Sequence, residues 1–248
     1  CRDVDLILTD SHATAKMYKE KDGIDVTPIG PFIDPTHVIA KERNPQNVLL
    51  VNPSLAKGAA IVIRLAMMLE EERPDIKFEV VQSRGNWEAL VRQVTKKFGK
   101  ERSNLSNVIL TPNTRDMRPI YGRAKVLLAL SLWWESFGRV AAEAIMNDIP
   151  VITSGSGGLP EAVGEAGFVI KFGTALHKAP YQKIPSDKQV AAISELILNM
   201  FNDPDHYQRK LSHCQSQRDH FNIERSAQRL IKAFRTKRSI KNLNQSVR

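Results

Sequence analysis

Two glutamates stand eight residues apart where a polar loop passes into an apolar helix. Glu135 lies in the loop sequence SLWWESFG, and Glu143 lies in the run VAAEAI. A carboxylate on a helix that packs against a sheet is costly unless it is paired or hydrogen-bonded. Either a ligand with hydroxyl groups or a basic side chain elsewhere in the fold would satisfy Glu143. Glu135, near a helix start, would either bind a ligand or cap the helix.

A lysine and a glycine-rich loop add candidate contacts for an anion. Lys57-Gly58 precedes a helical pattern, and residues 154–161 read SGSGGLPE. A lysine at a helix N-terminus opposes the helix dipole unless a bound anion such as a diphosphate is present. The alternative is a solvent-exposed lysine at a frayed helix start. Gly157 and Gly158 would let backbone amides approach a ligand closely.

The elements that position these residues alternate between short apolar runs and helical patterns. Buried strands are predicted at residues 48–51, 76–81, 108–110, 126–130, 150–153 and 168–170. Helices are predicted between them, for example at residues 58–71, 87–98 and 137–146. This alternation indicates an α/β fold, a Rossmann-like doubly wound parallel sheet with extra C-terminal helices. Ligands of such sheets bind beyond the carboxyl ends of the strands, where the candidate loops lie.

Three regions are predicted along the chain. Residues 1–34 are interpreted as the last strand–helix unit of a largely missing N-terminal domain, followed by a linker. Residues 46–222 form the Rossmann-like domain, and residues 223–248 form a C-terminal helix and basic tail. Because the chain begins at Cys1 and not at methionine, we expect a segment upstream.

Composition excludes some classes and leaves others open. The 248 residues are 42% hydrophobic, and no apolar run approaches the roughly 20 residues of a membrane-spanning helix. Two cysteines argue against a disulfide framework and favour a reducing, cytoplasmic location. The net charge of +9 suggests an anionic partner. The basic tail at residues 234–248 is either a solvated terminus or a peripheral contact with an anionic membrane; nucleic acid is disfavoured because no aromatics interleave the basic residues.

The candidate residues together resemble a known motif. In chain order the match reads Glu135 with SFG, Glu143, Pro150 with VI, and Gly157-Gly158 followed by Glu161. This order resembles the E-x7-E region of family-four (group 1) retaining glycosyltransferases, in the C-terminal, donor-binding domain of their GT-B fold. Lys57-Gly58 is similar to the pair that this family places after the first strand of that domain, and residues 29–34 resemble its interdomain segment.

The resemblance implies roles for the matching residues. Glu143 would hold the ribose hydroxyls of a nucleotide sugar of the UDP or GDP type, Glu135 would contact the transferred sugar, and Lys57 would neutralise the leaving diphosphate. Further donor contacts are implied at Gly58, Ser136, Phe137, Gly138, Gly157 and Gly158, with Thr111 and Asn113 beside the base. Transfer to a glycan or lipid-linked acceptor would retain anomeric configuration and need neither a metal ion nor a cofactor.

The sequence departs from the family at two points. The loop before Lys57 lacks the usual arginine, and Arg84 is the candidate to replace it. The domain that should bind the acceptor is absent, so the chain alone is expected to bind donor and to transfer little. Of Trp133 and Trp134, which could stack on a sugar ring, one is expected to pack in the core.

Three other functions stay open at this stage. A glycoside hydrolase also uses two carboxylates, but they must flank one bond at about 5–9 Å, for which Glu143 is poorly placed. A nucleotide-sugar-binding or epimerase-type GT-B domain without transferase activity would share every donor contact. A basic interaction module would need its lysines and arginines on one face.

Overall fold

A computed structural model describes residues 4–83 and 85–246, with side chains described as far as residue 237. The strands are β1 Leu8–Thr9, β2 Thr27–Pro28, β3 Asn47–Val51, β4 Phe78–Val81, β5 Val108–Thr111, β6 Ala124–Ala129, β7 Val151–Ser154 and β8 Gly167–Ile170. The helices are α1 His12–Asp22, α2 Pro35–Val38, α3 Ala59–Glu72, α4 Trp87–Lys96, α5 Arg118–Arg123, α6 Arg139–Met146, α7 Leu159–Val163, α8 Asp187–Asn202, α9 Pro204–Arg218 and α10 Ile223–Ser246.

Strands β3 to β8 form one parallel sheet in the order β5-β4-β3-β6-β7-β8. The chain therefore builds outward from β3 in one direction, then returns to start β6 on the other side of β3. This reversal defines a topological switch point between β3 and β6, the position where doubly wound sheets bind ligands. The predicted Rossmann-like parallel sheet is confirmed.

Both faces of the sheet are covered, because its central strands are apolar on both sides. In β3, Val48 and Leu50 pack in one core cluster with α3 and α8, whereas Leu49 packs in a second cluster with α6 and α7. Successive side chains of a strand point to opposite faces, so one apolar run joins two layers.

A separate small unit precedes the sheet. Strands β1 and β2 pair in parallel, and α1 connects them. The helix begins where the Ser11 side chain accepts a hydrogen bond from the Thr14 amide, and it ends at Gly23 in a left-handed conformation. This geometry is a side-chain N-cap and a glycine C-cap.

The six predicted sheet strands and the main helices are present within a few residues. Two short helices, α2 and α5, were not predicted because four and six residues are too few for a clear apolar period. The last helix continues to Ser246, beyond the predicted end at residue 234. Most of the basic tail falls on residues whose side chains lie outside those described. Within the described part of the chain, no helix combines the length and apolarity needed to cross a bilayer.

Candidate functional site

A cleft of about 390 Å³ opens at the switch point, between the loops that follow β3 and β6. Predicted site residues that line it are Lys57, Glu135, Ser136, Phe137 and Gly138. The first turn of α6 also lines the cleft, from Gly138 through Ala141. An α-helix N-terminus presents free amides and the positive end of its dipole, which favours an anion there.

The two loops are joined by backbone contacts. The Leu132 amide donates to the Ala56 carbonyl at 2.7 Å. Gly58 has a φ of +80°, and a Cβ at this position would run into the Leu130 carbonyl. Glycine is thus required both by the left-handed conformation and by the close approach of the strand end. This approach brings Lys57 beside the loop that carries Glu135.

Lys57 and Glu135 form an ion pair in the cleft. The same carboxylate oxygen, Oε1, also accepts hydrogen bonds from Ser131 Oγ at 2.6 Å and from the Trp133 indole at 2.8 Å. Burial acts to raise the pKa of Glu135, but the hydrogen bonds from Lys57, Ser131 and Trp133 together hold that pKa below its ordinary value. The side chain of Lys57 is only 27% exposed. The alternative prediction, a solvent-exposed lysine at a frayed helix start, is therefore wrong.

Glu143 is buried one helical turn further along α6. Its Oε2 accepts a hydrogen bond from the Tyr121 hydroxyl at 2.7 Å, and its Oε1 accepts one from Arg139 Nε at 2.7 Å. The carboxylate therefore has the basic partner that one interpretation of the sequence required. Arg139 stands four residues before Glu143, a spacing that brings side chains together on a helix, so the sequence held this signal.

Gly157 and Gly158 lie against the backbone of the Glu135 loop. The Gly158 amide donates to the Glu135 carbonyl at 2.8 Å. A Cβ on Gly157 would overlap the Glu135 backbone, and one on Gly158 would contact the Ser136 carbonyl. Their observed role is to support the cleft loop, while their implied contact with a donor stays a prediction.

The remaining predicted residues lie elsewhere. Thr111 ends β5, at the edge of the sheet, and its hydroxyl donates to Glu79 at 2.7 Å. Asn113 is exposed in the following loop. Neither residue lines the cleft as it stands. Arg84 lies outside the described residues, so its proposed contact is not tested.

Both tryptophans of the cleft loop are partly exposed, Trp133 at 45% and Trp134 at 48%. The expectation that one of them packs in the core is wrong. Trp133 instead uses its indole N–H to hold Glu135, and the Lys57 ammonium lies 5.0 Å from its ring centroid. The indole combines a hydrogen-bond donor with an aromatic ring, so Trp133 can make both contacts at a solvent-exposed position.

The sequence interpretation missed how the first unit contacts the cleft loop. The Ser136 carbonyl accepts hydrogen bonds from both Ser11 Oγ and Thr14 Oγ1, the latter at 2.9 Å. The Glu161 carboxylate accepts the backbone amides of His12 and Ala13 at 3.1 and 3.2 Å. No local pattern connects residues that lie more than a hundred positions apart, so only the fold reveals these contacts.

The sheet order and the cleft define a Rossmann-like domain with a ligand cleft at its switch point. The family model described as "Glycosyl transferases group 1" matches residues 38–210, more than half of the chain, and the chain belongs to this family. A relative, spore coat protein SA of Bacillus subtilis (strain 168), is 27% identical over 122 residues, which are 47% of this chain and 32% of that protein.

Solved structures share the fold. Anabaena Alr3699/HepE in complex with UDP and glucose matches with a TM-score of 0.72 and 18% identity, over 95% of this chain and 64% of that one. The pneumococcal O-GlcNAc transferase GtfA in complex with UDP and GlcNAc matches with a TM-score of 0.70 and 17% identity, over 96% and 45%. The chain thus spans less than two thirds of each of these proteins.

Proposed function

We propose that this chain is the donor-binding domain of a retaining glycosyltransferase whose donor is a nucleoside diphosphate sugar. The observation that carries the proposal is the Lys57–Glu135 pair, which lies in the switch-point cleft beside the N-terminus of α6. The cleft thereby combines a cation, free amides and a carboxylate, as a diphosphate joined to a sugar requires. Two structural neighbours were solved with UDP and a sugar, which supports a donor of the UDP type.

In this proposal the negative charge that develops on the leaving diphosphate meets Lys57 and the α6 amides. Stabilisation of charge that appears only in the transition state accelerates transfer. Glu135 contacts the transferred sugar, with the backbone at Ser136, Phe137 and Gly138 beside it. Glu143 accepts the ribose hydroxyls. The proposal uses no metal ion.

The proposal assigns the acceptor side of the reaction to a domain outside this chain. We propose that a further domain binds a glycan or lipid-linked acceptor across the cleft and that transfer is weak without it. A peripheral membrane contact of the basic tail belongs to the same proposal, with salt-sensitive binding to anionic vesicles as its measurement.

Calorimetric titration with UDP, GDP and ADP tests the donor site. We expect saturable binding of one nucleotide, weakened at least tenfold in Lys57→Ala and in Glu143→Ala because each variant removes a charged contact. Lys188→Ala, an exposed lysine change on α8, is the matched control and should bind as the wild type does. Equal affinity in all four proteins would contradict the assigned site.

The reaction itself is tested with a protein in which the proposed acceptor-binding domain accompanies this chain. With an acceptor added, the anomeric configuration of the product is measured by NMR, and retention is expected. An inverted product would contradict the proposed reaction class, and release of free sugar to water in place of transfer would favour a hydrolase.

A further inference from the structure

The two hydrogen-bonding partners of Glu143 differ in solvent exposure, and this difference matters for the proposed donor site. Tyr121 lies on α5 and is fully buried, and its hydroxyl reaches Oε2. Arg139 lies at the start of α6 beside the cleft, and its side chain is 61% exposed while its Nε reaches Oε1. One partner is therefore fixed in the interior, and the other can leave for solvent.

The buried Tyr121 hydroxyl acts as a hydrogen-bond donor. Burial, with the nearby charge of Glu143 adding to it, raises the pKa of Tyr121 well above its ordinary value, so the phenol keeps its proton at neutral pH. A protonated phenol is a hydrogen-bond donor, and it occupies one lone pair of Oε2. Because the ring is packed on all sides, the hydroxyl also fixes the direction in which the second oxygen points.

The exposed partner is weakly held. Only the Arg139 end of this i,i+4 ion pair is exposed, and solvent there competes with Glu143 for the guanidinium. The Arg139 guanidinium can turn into solvent at little cost to itself, but its departure leaves the buried Glu143 carboxylate with Tyr121 and in need of a new donor on Oε1. The oxygen it leaves, Oε1, then has lone pairs available for hydroxyl donors.

We propose that Tyr121 is a positioning residue, which fixes the Glu143 carboxylate for the vicinal diol of a ribose, and that the diol replaces Arg139 on Oε1. This inference rests on the proposed donor site and adds two residues to it. It assigns to Tyr121 a role in distinguishing ribose from deoxyribose, although Tyr121 itself does not touch the ligand.

The test compares UDP with 2′-deoxy-UDP, and GDP with 2′-deoxy-GDP, by calorimetric titration of the full chain. The wild type is expected to favour the ribonucleotide of the base that it binds. In Tyr121→Phe this preference should fall about tenfold, because a hydrogen bond to a charged group is lost, while the affinity for the deoxynucleotide stays nearly unchanged. A purely structural role would weaken both nucleotides equally, and that result would overturn the inference.

Three further variants sharpen the test. Tyr207→Phe removes a buried hydroxyl from a half-buried tyrosine on α9, away from the cleft, and should leave the preference unchanged. In a Glu143→Ala background, Tyr121→Phe should add nothing to the loss of preference. Arg139→Met should keep the preference, since the diol replaces this side chain. A loss in Arg139→Met as large as that in Tyr121→Phe would overturn the exchange.

The failure of the proposed function gives a different result. If the wild type binds none of the four nucleotides, the donor site and this inference fall together. If it binds one pair with an unchanged preference in Tyr121→Phe, the inference alone is overturned.

Discussion

Lys57 and Glu135 are 78 residues apart in the chain, and their side chains form an ion pair across the switch point of the sheet. The pair links the loop after β3 with the loop after β6. A glycine allows each loop to reach this position. Gly58 lets the first loop pass close to the Leu130 carbonyl, and the Gly158 amide donates a hydrogen bond to the Glu135 carbonyl of the second loop. Variants that break this ion pair therefore test whether it holds the two loops together at the cleft.

Removal of the lysine should destabilise the fold in a pH-dependent way. Lys57→Met leaves Glu135 partly buried with fewer donors, so we expect the free energy of unfolding at pH 7 to fall by about 1–3 kcal/mol. The pKa of Glu135 is held low in the folded chain, so its contribution to stability is present above its unfolded pKa and is lost as pH falls through the folded value. Urea unfolding at pH 7 and at pH 4 measures this, with a smaller difference expected at pH 4.

A second substitution provides the control for that prediction. Lys57→Met combined with Glu135→Gln removes the unpaired charge, and most of the lost stability should return. If the double variant is no more stable than Lys57→Met alone, the pair does not stabilise the cleft.

The support of the cleft loop by Gly157 predicts a steep cost for any side chain there. Gly157→Ala combines a φ of +58° with an overlap of the new Cβ and the Glu135 backbone. We expect the free energy of unfolding to fall by more than about 2 kcal/mol. Gly99→Ala, at a φ of +84° with open space around it, should cost only about 1 kcal/mol, and Gly173→Ala should be nearly neutral. Equal costs for Gly157→Ala and Gly99→Ala would contradict the backbone contact.

The contact between Glu161 and α1 predicts local protection of two amides. In Glu161→Gln the charge at the helix N-terminus is lost, so hydrogen exchange at His12 and Ala13 should become several times faster. The exposed residue Glu165 provides a matched control, because Glu165→Gln leaves this contact intact. Identical exchange rates in both variants would show that Glu161 does not hold the first unit.

An ion pair between Arg102 and Glu70, near the C-terminal end of α3, predicts a contribution to stability that is lost in acid. Arg102 donates to both oxygens of Glu70 at 2.6 and 2.7 Å, and its hydrogen bonds lower the pKa of Glu70 to about 2. The lowered pKa means that the stabilisation is complete above the unfolded value near 4.5 and is lost as pH falls towards 2. Glu70→Gln should therefore lower the melting temperature at pH 7 and have little effect near pH 2. The exposed neighbour change Glu71→Gln should show no such dependence.

The sequence by itself determined the layers of the fold. Val48, Leu49 and Leu50 are consecutive and apolar, and a strand with such a run must be covered on both faces, which the parallel sheet provides. It also determined which loops carry the site, because the carboxyl ends of parallel strands share one edge. Local caps such as Ser11 follow from the backbone chemistry of a few neighbouring residues.

Only the tertiary structure decided which partners these residues have. The hydroxyl of Tyr121 reaches Glu143, and the hydroxyl of Thr14 reaches the Ser136 carbonyl, because helices from distant parts of the chain pack together. The predicted approach of Gly157 and Gly158 to a ligand stays a prediction, and only the loop crossing reveals that the Glu135 backbone also lies directly against them. Sequence periodicity reports which face of an element is buried, but hydrogen-bond partners depend on where whole elements stand in space, and local spacing does not encode that.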